Sequence, residues 1–153
     1  MTDKYQAMLT WLSGCPALGS VFAFQAGMAG DGATTITTEY AQGRGRAFID
    51  GSYERTFDLV IAFYKSLITG PYVVAQGTAN KNLGDIVDTQ SMIDWIDAQT
   101  TMPNFGANYV VDRVYALTDE PVLAWIDSEQ YEPPLAKYTI TVRVEYIDYT
   151  RAI

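Results

Sequence analysis

The stretch Phe48–Phe63, FIDGSYERTFDLVIAF, decides the fold of this chain. Its Asp50-Gly51 pair is a hairpin signal, because both residues tolerate the positive φ that a tight turn between two strands demands. Beyond the turn the residues alternate. Tyr53, Arg55, Phe57, Leu59, Ile61 and Phe63 share one face; Glu54, Thr56, Asp58, Val60, Ala62 and Tyr64 share the other. The first face is apolar after Arg55. The second turns apolar only toward its end, which predicts a long strand covered on both sides at that end. The run of polar residues from Asp50 to Arg55 therefore reads as turn and strand surface rather than as a catalytic cluster. Ser52 and Glu54 are expected on the hairpin surface, and Arg55 and Asp58 at sheet edges or against a neighbouring subunit.

The rest of the chain supplies partners for that strand. Upstream, TTITTEY alternates with β-branched residues, RGRAFI leads into the turn, and GSVFAFQAG reads as a short strand. GMAGDGA reads as a turn. GRGR at Gly43–Arg46 has too few glycines for a dinucleotide loop and no helix after it, so it reads as a kinked or bulged strand start. Downstream, NYVVDRVYAL and PVLAWIDS are two strands joined by the turn TDEP, and EQYEPPL is a break. AKYTITVRVEYIDYT then alternates cleanly. Tyr138, Ile140, Val142, Val144 and Tyr146 are expected inward, and Thr139, Thr141, Arg143 and Glu145 outward.

Two helices complete the pattern. Thr2–Ser13 places Tyr5, Met8, Leu9 and Leu12 on one face, with Thr2 as cap and Asp3 near the positive end; Gly14 and Pro16 stop it. Asp88–Gln99 starts on a capping Asp88 and buries Met92, Ile93, Trp95 and Ile96. Between strand and helix, Leu67–Val87 reads as a long connection. Its apolar ITGPYVVAQ is either a minor strand or an adhesive arm that orders on a partner. The order α-β-β-β-α-β-β-β, with one wet and one dry sheet face, predicts an α+β fold. It is a mainly antiparallel sheet with two helices packed on one face.

Composition narrows the function. The 153 residues fit one domain, and 48% hydrophobic with 18% charged residues is ordinary for a globular chain. Eleven tyrosines suit sheets and interfaces. The formal charge of −8, with no basic run, argues against a nucleic-acid groove, yet an acidic surface lets DNA pass without sticking. The single Cys15 reads as a small apolar residue in a turn and forms no internal disulfide. No apolar run is long enough to span a membrane, and the N-terminus lacks the pattern of a signal peptide. The expectation is a protein made inside the cell with no membrane partner.

Chemistry is poorly represented. The chain has no histidine, which removes the commonest general base and metal ligand. Neither G-x-S-x-G, a Walker A loop nor H-E-x-x-H occurs. Asp94 and Asp97 read as a solvated helix face. Asp31 lacks the ligand spacing of a calcium loop, and Thr78 with Lys81 falls in the connection and carries no pattern. No catalytic, cofactor or metal residue is assigned, and no cofactor is expected.

FIDGSYERTFDLVIAF, MIDWIDAQTTMPNFG and AKYTITVRVEYI, in that order, resemble the tail terminator proteins of long-tailed bacteriophages, often labelled minor capsid proteins in phages of Gram-positive hosts. The resemblance covers Thr38–Tyr149. It rests on Ile49–Ser52, on Trp95–Asp97, on Pro103, and on Tyr138, Ile140 and Tyr146. It implies a structural virion protein at the head-proximal end of the tail: a homohexameric ring that sits on the major tail tube protein, stops tube growth and meets the head-completion proteins. DNA passes through such a ring without sequence-specific binding. A ring needs two different patches on each subunit. The candidates are Arg44, Arg46, Arg55 and Asp58 on strands, and Tyr72, Val73 and Val74 in the connection. Three other readings are a neighbouring head–tail connector or tail-completion protein, a small carboxylate enzyme, and a ligand-binding α+β module.

Overall fold

The computed structural model of the chain describes residues 3–16, 23–24, 34–38, 45–67, 76–131 and 133–151. Along them run α1 (Lys4–Leu12), β1 (Ala23–Phe24), β2 (Thr34–Thr38), β3 (Tyr53–Ser66), α2 (Gln76–Ala98), β4 (Tyr109–Ala116), β5 (Val122–Asp127) and β6 (Leu135–Asp148). The fold is α+β, with a mainly antiparallel sheet and the expected element order. The six strands form one sheet, ordered β1-β2-β3-β6-β4, with β5 also on β6; only β1 and β2 pair in parallel.

The frame is the β3–β6 pair. Each strand has 14 residues, matched without a shift from Tyr53↔Asp148 to Ser66↔Leu135. At the usual strand rise the pair is about 45 Å long. The alternation in both strands sets this register, because a one-residue slip would turn the apolar face to water. Phe57, Leu59, Ile61 and Phe63 join Ile140, Val142 and Val144 in one core. Met8 and Leu12 of α1 and Met92, Ile93 and Ile96 of α2 close it from the same side. Each fully buried side chain of this kind contributes roughly 1.5–3 kcal/mol. Trp11 and Trp95 meet edge-on at 5.0 Å between the helices, and the Trp11 indole N–H donates to the Thr101 carbonyl at 2.6 Å. On the opposite face a small second core of Ala62, Tyr64 and Leu135, flanked by Trp125 and Tyr131, covers the far end of β3. The strand is thus covered on both sides where its second face becomes apolar.

Several local expectations are corrected. The α1 cap is Asp3, whose carboxylate accepts from the Tyr5 and Gln6 amides; Thr2 lies outside the described residues. Helix α2 begins at Gln76, not Asp88, so Gln76–Val87 is helix and Thr78 and Lys81 lie within it rather than in a connection. Gly77, Thr78, Asn80, Asn82 and Gly84 are weak helix formers, and helix forms there against local preference. Residues 68–75, with most of ITGPYVVAQ, lie outside the described residues, as does GMAGDGA.

Strands β4 and β5 do not fold back on each other. Both run antiparallel to β6, β4 along Val142–Asp148 and β5 along Leu135–Thr139. They form one broken edge strand, and TDEP is an excursion between its halves, anchored where the Leu117 amide donates to the Thr141 carbonyl at 2.9 Å.

The hairpin at the head of β3 has a three-residue loop rather than a two-residue one. The Phe48 amide donates to the Ser52 carbonyl, and the Gly51 amide to the Phe48 carbonyl. Gly51 alone carries the turn's glycine φ, at 89°. A three-residue loop of this form places its left-handed residue last, so Asp-Gly serves it as well as it serves the tighter turn. Ser52 is buried rather than on the surface, and its amide and hydroxyl are both satisfied there by donating to Asp50 Oδ1. Gly45 brings the incoming chain against β3 so closely that a Cβ there would lie 2.2 Å from the Glu54 carbonyl oxygen. Gly45→Ala is therefore expected to destabilise the protein by about 1–3 kcal/mol, as overpacking does. Chemical denaturation would show it, and an unchanged midpoint would mean that the incoming strand does not lie against Glu54.

Candidate functional site

The strand residues proposed as interface material separate at once by parity. Arg55 and Asp58 are an odd number of positions apart on β3, so they face opposite sides of the sheet. Arg55 lies on the helix-bearing side. Its Nε sits 2.8 Å from Asp148 Oδ2 on the neighbouring strand, with side-chain exposures of 17% and 8%. The N–H is not aimed along that contact, so the pair is held by charge rather than by an aligned hydrogen bond. The guanidinium also stands 5.2 Å from the Tyr53 ring centroid. Burial pushes the Asp148 carboxyl up, but hydrogen bonds from Thr150 and the Arg55 charge together pull it below the usual range. Tyr146, the register partner of Arg55, is raised by its burial.

Asp58 lies on the open face. It accepts from Arg143 Nε at 3.0 Å and from Arg143 Nη2 at 2.9 Å, a two-pronged match of carboxylate and guanidinium. Asp58 and Arg143 are register partners on β3 and β6. One step along, Glu145 accepts from Arg113 Nε at 2.9 Å and from the Tyr115 hydroxyl at 2.8 Å, and the Arg113 guanidinium stacks 4.2 Å from the Tyr115 ring centroid. The open face thus carries a cross-strand charge ladder that satisfies itself within the chain. A double-mutant cycle on Asp58→Ala and Arg143→Ala is expected to give a coupling of about 1 kcal/mol, the upper range for a partly exposed pair. Zero coupling would remove the ladder's stabilising role.

Arg46 lies beside the hairpin and is 76% exposed. Its contact with Glu54 is a loose 3.5 Å, and its guanidinium stands 5.6 Å from the Phe48 ring centroid. Arg44, Tyr72, Val73 and Val74 lie outside the described residues. Asp94 and Asp97 are exposed on α2. Among the described residues, no group of three or more His, Cys, Asp or Glu side chains could hold a metal ion, and no helix is long and apolar enough to cross a membrane. The shifted carboxylates, Asp50 and Asp148, are both lowered: Asp50 by hydrogen bonds from Ser52, Asp148 by the balance above. That is the opposite of what a general acid at neutral pH needs.

The structure brings forward surfaces that the sequence reading did not single out. Val110, Leu117, Val122, Leu123 and Ile126 are exposed along the broken edge strand, as are Ile86 and Val87 on α2. Between α2 and the TDEP excursion lies a groove of about 600 Å³ lined by Ile86, Val87, Gln90, Asp119, Glu120, Pro121, Leu123 and Tyr138. At the other margin of the sheet the hairpin exposes Phe48 and Ile49. A sequence signal existed for the edge: VLAWI is an unbroken apolar run, which reads as a strand buried on both faces. Here only Trp125 of the run packs on a core, against Tyr64, while Val122, Leu123 and Ile126 stay exposed among the described residues.

No protein-family model matches the chain, and no curated protein matches it.

Proposed function

We propose that this chain is a structural virion protein of a long-tailed bacteriophage. It assembles into a ring that caps the tail tube, ends tail elongation and provides the surface for head joining. The observation that carries the reading is the open β4–β5 edge. An outer strand with exposed apolar side chains, which no further strand pairs among the described residues, is a template for another chain. The ladder's charges, Asp58 with Arg143 and Glu145 with Arg113, are paired within the subunit, so the apolar edges, not the ladder, are the adhesive material. The net charge of −8 suits a lumen through which DNA slides.

A neighbouring head–tail connector would use the same open edge and is the second reading. Both require self-assembly. Native mass spectrometry of the purified chain is expected to find six copies of the 16.9 kDa subunit. A strict monomer that also fails to bind tail tubes would contradict the proposal.

A further inference from the structure

We infer that the hairpin tip of one copy, Phe48 and Ile49, seats in the groove between α2 and the TDEP excursion of the next copy. The inference rests on the ring reading above and gives it a specific contact.

The tip is shaped as a knob. Ile49 is 106% exposed and Phe48 38%, although loop tips normally carry Gly, Asn, Asp or Ser. Isoleucine is not required by the turn, whose geometry is set by Gly51 and by the Asp50–Ser52 hydrogen bonds. The same bonds fix the tip before any partner arrives, so little ordering entropy is lost on docking.

The groove is preformed in the same way. Gln90 Nε2 donates to the Asp119 carbonyl at 2.8 Å, and the Thr118 hydroxyl donates to the Glu120 carbonyl at 2.7 Å. Ile86, Val87 and Leu123 supply its apolar lining, and about 600 Å³ accommodates an aliphatic and an aromatic side chain together. The charges match as well. Arg46 stands beside Phe48 on the knob, largely exposed, while Asp119 and Glu120 rim the groove.

Position makes the occupant a second copy. The hairpin leaves β3 on the β2 side, because Ala47 bridges Tyr53 while β6 holds the other side of β3. The groove lies against β5, beyond β6. Two full-length strands separate knob and groove, so a subunit cannot fill its own groove. The contact joins two different patches head to tail, the form that closes rings.

The test uses the full chain carrying I49C and L123C. Cys15 is buried and does not compete. Oxidation is expected to give an intermolecular ladder that ends at the ring size, where either single variant gives none. Independently, Ile49→Asp is expected to reduce the assembly to a monomer that keeps the subunit's circular dichroism, because the side chain is fully exposed within its own chain; its melting temperature falls only by what assembly contributed. Arg46→Glu is expected to weaken assembly at least tenfold, and adding Glu120→Arg to restore it. If the wild-type chain forms rings but the cysteine pair does not cross-link and Ile49→Asp assembles normally, this contact is wrong and the ring reading stands. If the wild-type chain forms no ring in solution or on tails, both fall.

Discussion

Replacing Phe105 with alanine is expected to destabilise the protein by about 3–5 kcal/mol, the range for removing a fully buried aromatic ring. Phe105 is 1% exposed, although it belongs to the linker between α2 and β4. Its ring stands edge-on to Phe57 at 5.8 Å and to Tyr146 at 5.3 Å, so it joins β3 and β6 from the helix side. Gly106, at φ 114°, turns the chain immediately after it. Truncation would leave a cavity bounded by two long strands that cannot move inward without losing register. For a chain of this size the melting temperature should fall by about 10 °C. A loss below about 1 kcal/mol would show that the linker does not seat in the core.

The second large effect is at Asp148. Asp148→Asn keeps an oxygen for Thr150 but leaves Arg55, on the helix-bearing side, without its counter-charge. Breaking this largely buried pair from one side is expected to cost about 2–3 kcal/mol, because the Arg55 charge stays where water reaches only part of it. The double change R55M/D148L is expected to cost much less, since it removes both charges together. The pH dependence has a definite sign. The folded-state carboxyl is lowered below its ordinary value of 3.8, so the unfolded chain binds the proton more readily. The contribution is fully present above that value and disappears as pH falls through the lower folded one. Wild type and Asp148→Asn should therefore differ most at neutral pH and converge in acid. Denaturation midpoints at neutral pH and at about pH 3 measure this. A difference that grew toward acid would refute the assignment.

Much of this fold could be read from residue periodicity. The alternation of Phe57–Phe63 and Tyr138–Tyr146 foretold two half-buried strands, and the structure pairs them residue by residue. The grouping of Met92, Ile93 and Ile96 foretold the buried face of α2. What stayed hidden depends on partners rather than on pattern. Gln76–Val87 is helical despite its glycines and asparagines, so local propensity pointed the wrong way. The alternation within β4 and β5 is the same whether they form a hairpin or share one edge of β6. The Arg55–Asp148 pair joins residues distant in the chain, and no local motif marks it. The candidate surface was the least legible part. Whether Val122, Leu123 and Ile126 face a core or an open edge follows from which strand lies outermost, and composition is silent on that. The hairpin motif was visible, but its Ile49 acquires meaning only beside a groove on the opposite edge of the sheet.

Tail length is the most direct test of the proposed assembly on a tail. Phage particles made without this protein should be examined by electron microscopy and their tails measured. The account predicts tails that overrun the normal length and remain unjoined to heads, with wild-type protein restoring both. Tails of normal length that merely fail to join heads would contradict it and assign the chain to the connector instead.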